Sequence, residues 1–160
     1  MLDMSESNAV FATSAPKISI GMPVFNGEAF IEHAISSLRK QTEQSWELII
    51  SDNDSSDRTG AICQALAVSD PRIRYIRQAQ NLGAARNFEF VFRESSADYF
   101  MWAAADDIWD SQWLEHLSQA AFENPGCCVF GELRHIDEFG VPVVHTANGR
   151  LFSYISDYSW

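Results

Sequence analysis

No run of apolar residues in this 160-residue sequence is long enough to span a bilayer, and residues 1–15 carry no signal-peptide pattern. Both absences argue for a soluble, cytoplasmic chain, with any membrane contact peripheral and at the inner face. Basic residues are scarce, 11 Lys and Arg against 22 Asp and Glu, for a formal net charge of −11. That field repels polyanions, and the arginines are spread too thinly to form a patch, so the reading is no nucleic acid among the partners. Cysteine is scarce too: Cys63, Cys127 and Cys128 make an odd count without metal-ligand spacing. Adjacent Cys127 and Cys128 cannot bond each other without strain, so reduced thiols are expected. His33, His116, His135 and His145 likewise lack ligand spacing. A Gly-x-Gly-x-x-Gly fingerprint and a Gly-Lys-Ser/Thr phosphate loop are both missing, which argues against dinucleotide-binding and P-loop folds.

What is present suits a globular domain with a real core, 46% hydrophobic and 21% charged. Residues 1–15, rich in Ser, Asn, Ala and Thr, read as a disordered leader. Order is expected from Pro16. Residues 17–22 alternate apolar and polar and stop at Pro23, a strand. Phe30, Ile31, Ala34, Ile35 and Leu38 recur at helical spacing within 28–41. A second strand over 46–50 runs into the polar cluster 51–57, followed by a helix over 59–68. A short strand over 73–76 and a turn at Asn81-Leu82-Gly83 precede a helix over 84–92, with Phe88, Val91 and Phe92 on one face. The apolar run 99–103 suits a strand buried on both sides. Ser111 is the expected cap of a helix reaching about 124, with Trp113, Leu114, Leu117 and Ala121 inward. Residues 127–130 read as a further strand.

Strand and helix alternating through short polar turns predict a parallel α/β sheet with crossover helices. Ligands then bind beyond the carboxyl ends of the strands. The polar clusters stand there: Asn26 after the first strand, Asp52-Asn53-Asp54 after the second, Asp106-Asp107 after the apolar run. Asp52, at a strand end, is expected to point into the cleft, where a carboxylate can accept the imide N–H of a uracil ring. As a plain turn, the same cluster would cap the next helix, the job expected of Ser55 to Asp57. Asp106-Asp107 is an acidic pair that could merely begin a helix, or offer oxygen ligands to a hard cation whose remaining ligands come from a diphosphate and water. Such a cation also lets an acidic protein hold an anionic ligand. Arg86 is either an exposed helix arginine or a phosphate ligand.

In this order the segments resemble the family 2 glycosyltransferases, inverting enzymes with the A-type nucleotide-diphospho-sugar transferase fold. The matching text is Ile18-Ser19-Ile20-Gly21-Met22-Pro23-Val24-Phe25-Asn26, Trp46-Glu47-Leu48-Ile49-Ile50-Ser51-Asp52-Asn53-Asp54-Ser55-Ser56-Asp57-Arg58-Thr59, Asn81-Leu82-Gly83-Ala84-Ala85-Arg86-Asn87 and Ala104-Ala105-Asp106-Asp107-Ile108-Trp109. The resemblance implies a three-layer α/β/α Rossmann-like, mostly parallel sheet. It implies a nucleotide-sugar-binding domain over 16–130 and the start of an acceptor-binding region over 131–160, incomplete here.

By the same resemblance, Pro23, Val24, Phe25 and Asn26 line the nucleoside pocket and Glu28 matches an acidic position. Asp52 faces the base, and Arg86 is the basic residue near the nucleotide. Ala105 and Asp106 match the middle and last positions of the Asp-x-Asp metal motif. The first acid of that motif is replaced by Ala104, so Mn2+ or Mg2+ would rest on Asp106 helped by Asp107. The implied reaction moves a hexosyl unit from a nucleotide diphosphate sugar, of the UDP type, to a glycan or lipid-linked acceptor in polysaccharide or cell-envelope glycan synthesis. The catalytic base is expected beyond Trp160. Two rivals stay open: a truncated or degenerate nucleotide-sugar-binding module, favoured by Ala104, and a sugar nucleotidyltransferase, which would need a glycine- and lysine-rich first loop.

Overall fold

The computed structural model describes residues 17–137 and 139–141. The expected leader over 1–15, the acceptor-binding opening from residue 142 onward, and Glu138 lie outside the described residues. Eight elements alternate: β1 (Ile18–Val24), α1 (Ile31–Arg39), β2 (Trp46–Asp52), α2 (Thr59–Ser69), β3 (Ile73–Arg77), α3 (Ala84–Arg93), β4 (Tyr99–Trp102) and α4 (Trp113–Glu123). The four strands form one parallel sheet in the order β3-β2-β1-β4. All strands therefore end on the same edge, and the polar clusters are carried there together.

Period-two alternation divides the sheet's faces. Ile18, Ile20, Met22 and Val24 of β1 with Trp46, Leu48 and Ile50 of β2 join Ile31, Ala34, Ile35 and Leu38 of α1, Cys63 of α2 and Leu114 of α4 in one buried core. The opposite face sets Ser19, Gly21 and Ser51 beside Ile49, which is buried, and Phe100 of β4. Here α3 comes close, and a Cβ added to Gly21 would stand 2.7 Å from both Phe100 and Val91. Gly21→Ala is therefore expected to lower unfolding stability by about 1–3 kcal/mol through overpacking. An unchanged urea midpoint would remove that account of the α3 contact.

Several boundaries differ from the sequence reading. β1 runs through Pro23 to Val24 instead of stopping. Gly21 offers its carbonyl to Ala103 of the β4 side, whereas Val24 offers its carbonyl to Asn53 after β2. Pro23 shares Gly21's orientation, and its missing N–H falls on the β4 side past the last paired residues, Gly21 and Trp102. The apolar run of β4 is an edge strand among the described residues and not one buried on both faces; Trp102 is 52% exposed. Ser111 does not cap α4. Buried Gln41 does so from α1's end, its Oε1 accepting the Leu114 N–H at 2.9 Å, with its Nε2 on the Asp110 carbonyl. On α3 the inward residues are Asn87 and Val91, while Phe88 and Phe92 are exposed.

A second compact unit begins at Cys128. Residues 127–130 form no strand. So short a segment needs a ladder partner to satisfy its backbone, and no described strand pairs with it. Farther on, Asp137 organises a turn, its Oδ1 accepting the Phe139 and Val141 N–H groups at 2.9 Å.

Candidate functional site

Two loops at the carboxyl edge are stitched together. The Asn26 N–H donates to Ser55 Oγ at 2.9 Å, Gly27 N–H to Thr59 Oγ1 at 2.8 Å and Glu28 N–H to Asp57 Oδ2 at 3.1 Å. In return Asn26 Oδ1 accepts the Ser56 N–H at 2.9 Å and Glu28 Oε2 accepts the Arg58 N–H at 2.8 Å. Asn26 adopts a φ of 52°, a left-handed conformation that asparagine tolerates better than most residues. The side chains of Asn26 and Glu28 are thus spent on the loop after β2.

Asp52 is wholly buried. Its Oδ1 accepts the Ser55 N–H at 2.8 Å, and its Oδ2 accepts the Tyr75 hydroxyl at 2.8 Å and Arg77 Nη1 at 3.3 Å. Arg77 Nη2 reaches on to Asp54 Oδ1 and the Ser55 carbonyl, each at 2.8 Å. Gly60 makes room for the cluster, since a Cβ there would lie 2.9 Å from the Tyr75 hydroxyl. Burial first, then the Asp52 hydrogen bond and charge, push the Tyr75 phenol up to about 12. Beneath the same loop, burial first and then the charges of Asp52 and Asp57 push the Cys63 thiol up to about 12.

Both groups therefore bind their protons more tightly folded than unfolded. Their stabilising effect is complete below the unfolded thiol's pKa, about 8.5. It declines as pH climbs from there toward 12, because the unfolded chain ionises first. Expected accordingly is a denaturation midpoint that falls above about pH 9, with exposed Cys127 and Cys128 labelled by a thiol reagent at pH 8 while native Cys63 stays protected. Rapid native-state labelling of all three thiols would contradict the packing under this loop.

A pocket of about 190 Å³ opens at this edge, lined by Pro23 and Val24 at the end of β1, Phe25 just after it, Asn53 after β2, Asn81 before α3, and Ala84, Asn87 and Phe88 on α3. It falls below the usual range for a whole ligand of drug size, about 300–1,000 Å³, so it suits one ring of a larger molecule. Its polar lining is all amide, without a charge. Asn53 Nδ2 donates to Asn81 Oδ1 at 3.0 Å, and Asn53 Oδ1 accepts the Leu82 N–H at 2.7 Å. Asn87 is fixed below by Ser51, giving Nδ2 to its carbonyl at 2.9 Å and taking its hydroxyl at 2.6 Å.

The sequence-derived residues divide between this pocket and its surroundings. Pro23, Val24 and Phe25 line it; Asn26, Glu28 and Asp52 brace the loops beside it. Arg86 is exposed in the first turn of α3 and makes no ion pair among the described residues. Ala105 approaches the first loop: a Cβ on Gly27 would stand 3.7 Å from its methyl. Asp106 and Asp107 are exposed on the loop after β4. Partial burial, and then the neighbouring Asp106 carboxylate, raise Asp107 above the ordinary carboxylate range. Among the described residues no group of three or more His, Cys, Asp or Glu side chains gathers as a complete metal cage. Sequence reasoning missed Asn53, Asn87, Tyr75 and Arg77. Asn87 had a signal, standing four residues before apolar Val91 on the inward side of a helix; Tyr75 and Arg77 had only their place at the end of a strand.

Known proteins resemble this arrangement. The family model described as glycosyl transferase family 2 matches residues 19–157. Glycosyltransferase GlyG of Streptococcus pneumoniae serotype 4 is 27% identical over 87% of this chain and 44% of its own length. A protein of Escherichia coli named UDP-Glc:alpha-D-GlcNAc-diphosphoundecaprenol beta-1,3-glucosyltransferase WfgD is 33% identical over 75% of this chain and 47% of itself. The chain thus spans less than half the length of these relatives. Among solved structures, S. aureus TarS 1-349 in complex with UDP superimposes with a TM-score of 0.62 at 20% identity, covering 67% of this chain and 32% of that one. Mannosyltransferase PcManGT from Pyrobaculum calidifontis, in complex with GDP-Man and Mn2+, gives 0.61 at 18% identity, covering 68% and 33%. These two likenesses establish a shared fold.

Proposed function

The chain belongs to glycosyl transferase family 2, and from that premise we propose that its pocket holds the nucleoside of a nucleotide diphosphate sugar whose hexosyl unit passes, with inversion, to a glycan or lipid-linked acceptor. The observation that carries this reading is a neutral, amide-lined pocket sharing one sheet edge with the acidic loop of Asp106 and Asp107. A nucleobase is a flat, uncharged ring with donors and acceptors on its rim, and Asn53 and Asn81 offer both kinds of group. Phe25 and Phe88 supply apolar wall at the mouth. In this proposal the base-facing role expected of Asp52 passes to Asn53, because Asn53 lines the pocket and keeps a second amide hydrogen and a second lone pair beyond its bonds to Asn81 and Leu82, whereas Asp52 lies outside the lining with its oxygens on Ser55, Tyr75 and Arg77.

The donor's diphosphate would lie toward α3's first turn, where the helix's leading backbone N–H groups and the guanidinium of Arg86, exposed and without an ion pair among the described residues, favour negative charge. Asp106, with Asp107, is the pair suited to Mn2+ or Mg2+. Two carboxylates are few, but such ions commonly keep phosphate and water among their ligands. A bound cation would neutralise charge developing on the departing diphosphate. WfgD is named for a UDP-Glc donor and a diphosphoundecaprenol acceptor, and TarS has been crystallised with UDP-GlcNAc; these names support a UDP-sugar donor and a lipid-linked acceptor here. No helix among the described residues is long and apolar enough to cross a membrane. In this proposal the chain works in the cytoplasm and meets a lipid-linked acceptor at the inner membrane face.

Ala104 favours a second reading, a nucleotide-binding module without transferase activity. Calorimetric titration of UDP with and without manganese separates the two. Binding that requires manganese supports the transferase reading, and binding indifferent to it supports the module. An inability to bind UDP or GDP under either condition would sink the donor-site proposal.

A further inference from the structure

Arg77 stands one strand away from the pocket and does not line it, yet it touches both neighbours of Asn53. One guanidinium nitrogen is 3.3 Å from Asp52 Oδ2, and the other is 2.8 Å from Asp54 Oδ1 and from the Ser55 carbonyl. The residue between them, Asn53, is only 3% exposed and lines the pocket, its amide bonded to Asn81 and to the Leu82 N–H. Asp54 has a φ of 66°, a left-handed conformation that costs a residue with a Cβ and persists only when its surroundings hold it. Arg77 is part of what holds it. A planar fork can span two carboxylates and a carbonyl in one geometry, whereas an ammonium is a single point of charge.

Resting on the donor-site reading above, we propose that Arg77 is a positioning residue for the nucleotide: it clamps Asp52 and Asp54 on either side of Asn53 and so fixes the amide that meets the base. Arg77 makes no contact with the nucleotide and acts only through the loop. The opposite end of β3 supplies a control. Arg72 lies 3.8 Å over the Trp46 ring and pairs with Asp70 at 2.8 Å, a stabilising cluster at the amino edge of the sheet. Removing Arg72 weakens the fold without touching the loop after β2.

The experiment compares the 160-residue chain with its Arg77→Met, Arg77→Lys and Arg72→Met variants. UDP affinity in manganese is measured by calorimetry, and hydrogen exchange of residues 53–57 by mass spectrometry without nucleotide. The expected result is an affinity for Arg77→Met at least about tenfold weaker than wild type, with faster exchange over 53–57. Arg77→Lys should recover part of both, and Arg72→Met should keep wild-type affinity despite a lower melting temperature. Affinity within twofold of wild type in Arg77→Met overturns the inference, as does an equal loss in Arg72→Met, which would trace the effect to general stability. If the unsubstituted chain binds no UDP, the donor-site reading falls and the inference with it. Unchanged exchange over 53–57 in Arg77→Met overturns the clamp alone.

Discussion

Asp106→Ala is expected to weaken manganese-dependent UDP binding by at least about 100-fold, the largest effect of any single change at the site. Ala104 stands where a second acid would share the load, and the described residues contain no third carboxylate, histidine or cysteine to complete a cage around the loop. A cation there would depend on Asp106 and Asp107 alone, so removing one ligand removes much of the protein's grip. Asp107→Ala should cost less, because Asp106 holds the last position of the Asp-x-Asp motif in the family resemblance and Asp107 stands one residue beyond it. Nucleotide affinity measured across a manganese series distinguishes the two variants. A wild-type manganese response in Asp106→Ala would detach the metal from this loop.

Asp52→Ala should act mainly on the fold. Removing one partner of a buried charged pair typically costs about 3–5 kcal/mol, since the groups left behind keep their desolvation penalty. Here the orphans are the Tyr75 hydroxyl, the Ser55 N–H and one nitrogen of Arg77, which retains Asp54 and the Ser55 carbonyl and is half in water. That residual pairing puts the expectation at the lower end, about 3 kcal/mol, or roughly a 10 °C fall in melting temperature for a domain of this size. Thermal unfolding followed by circular dichroism measures it. A variant as stable as wild type that had lost only its nucleotide affinity would restore Asp52 to the base-facing role expected from sequence.

The fold was legible because its signals are periodic and local. Alternation in 17–22 and 46–50 and the helical spacing of Ile31, Ala34, Ile35 and Leu38 marked strand and helix, and the repeated strand–helix succession implied parallel pairing. Boundaries failed where a distant partner decides them. Gln41 caps α4 from a residue far back in the chain, and β1 passes through Pro23 only because β4 has already ended on that side. The run 99–103 is apolar enough for a buried strand, but its position in the sheet is not written in its own residues. The site was legible to the level of the loop and not of the side chain. An acid at a strand end looks the same in text whether it faces a ligand or a neighbouring strand. Asp52 faces Tyr75 and Arg77, which are 23 and 25 residues later, and the adjacent Asn53 takes the pocket. A one-residue step reverses the direction of a side chain along a strand, so spacing alone does not say which of two neighbours faces the pocket.

The stitching between the loops after β1 and β2 has a thermodynamic consequence. Asn26, Glu28, Ser55, Asp57 and Thr59 are committed to one another through hydrogen bonds within the protein. Their conformational entropy is surrendered when the chain folds, so an arriving nucleotide has little left to immobilise on this side of the cleft. Recognition on these two loops should resemble a key entering a cut lock, with association limited by encounter more than by rearrangement.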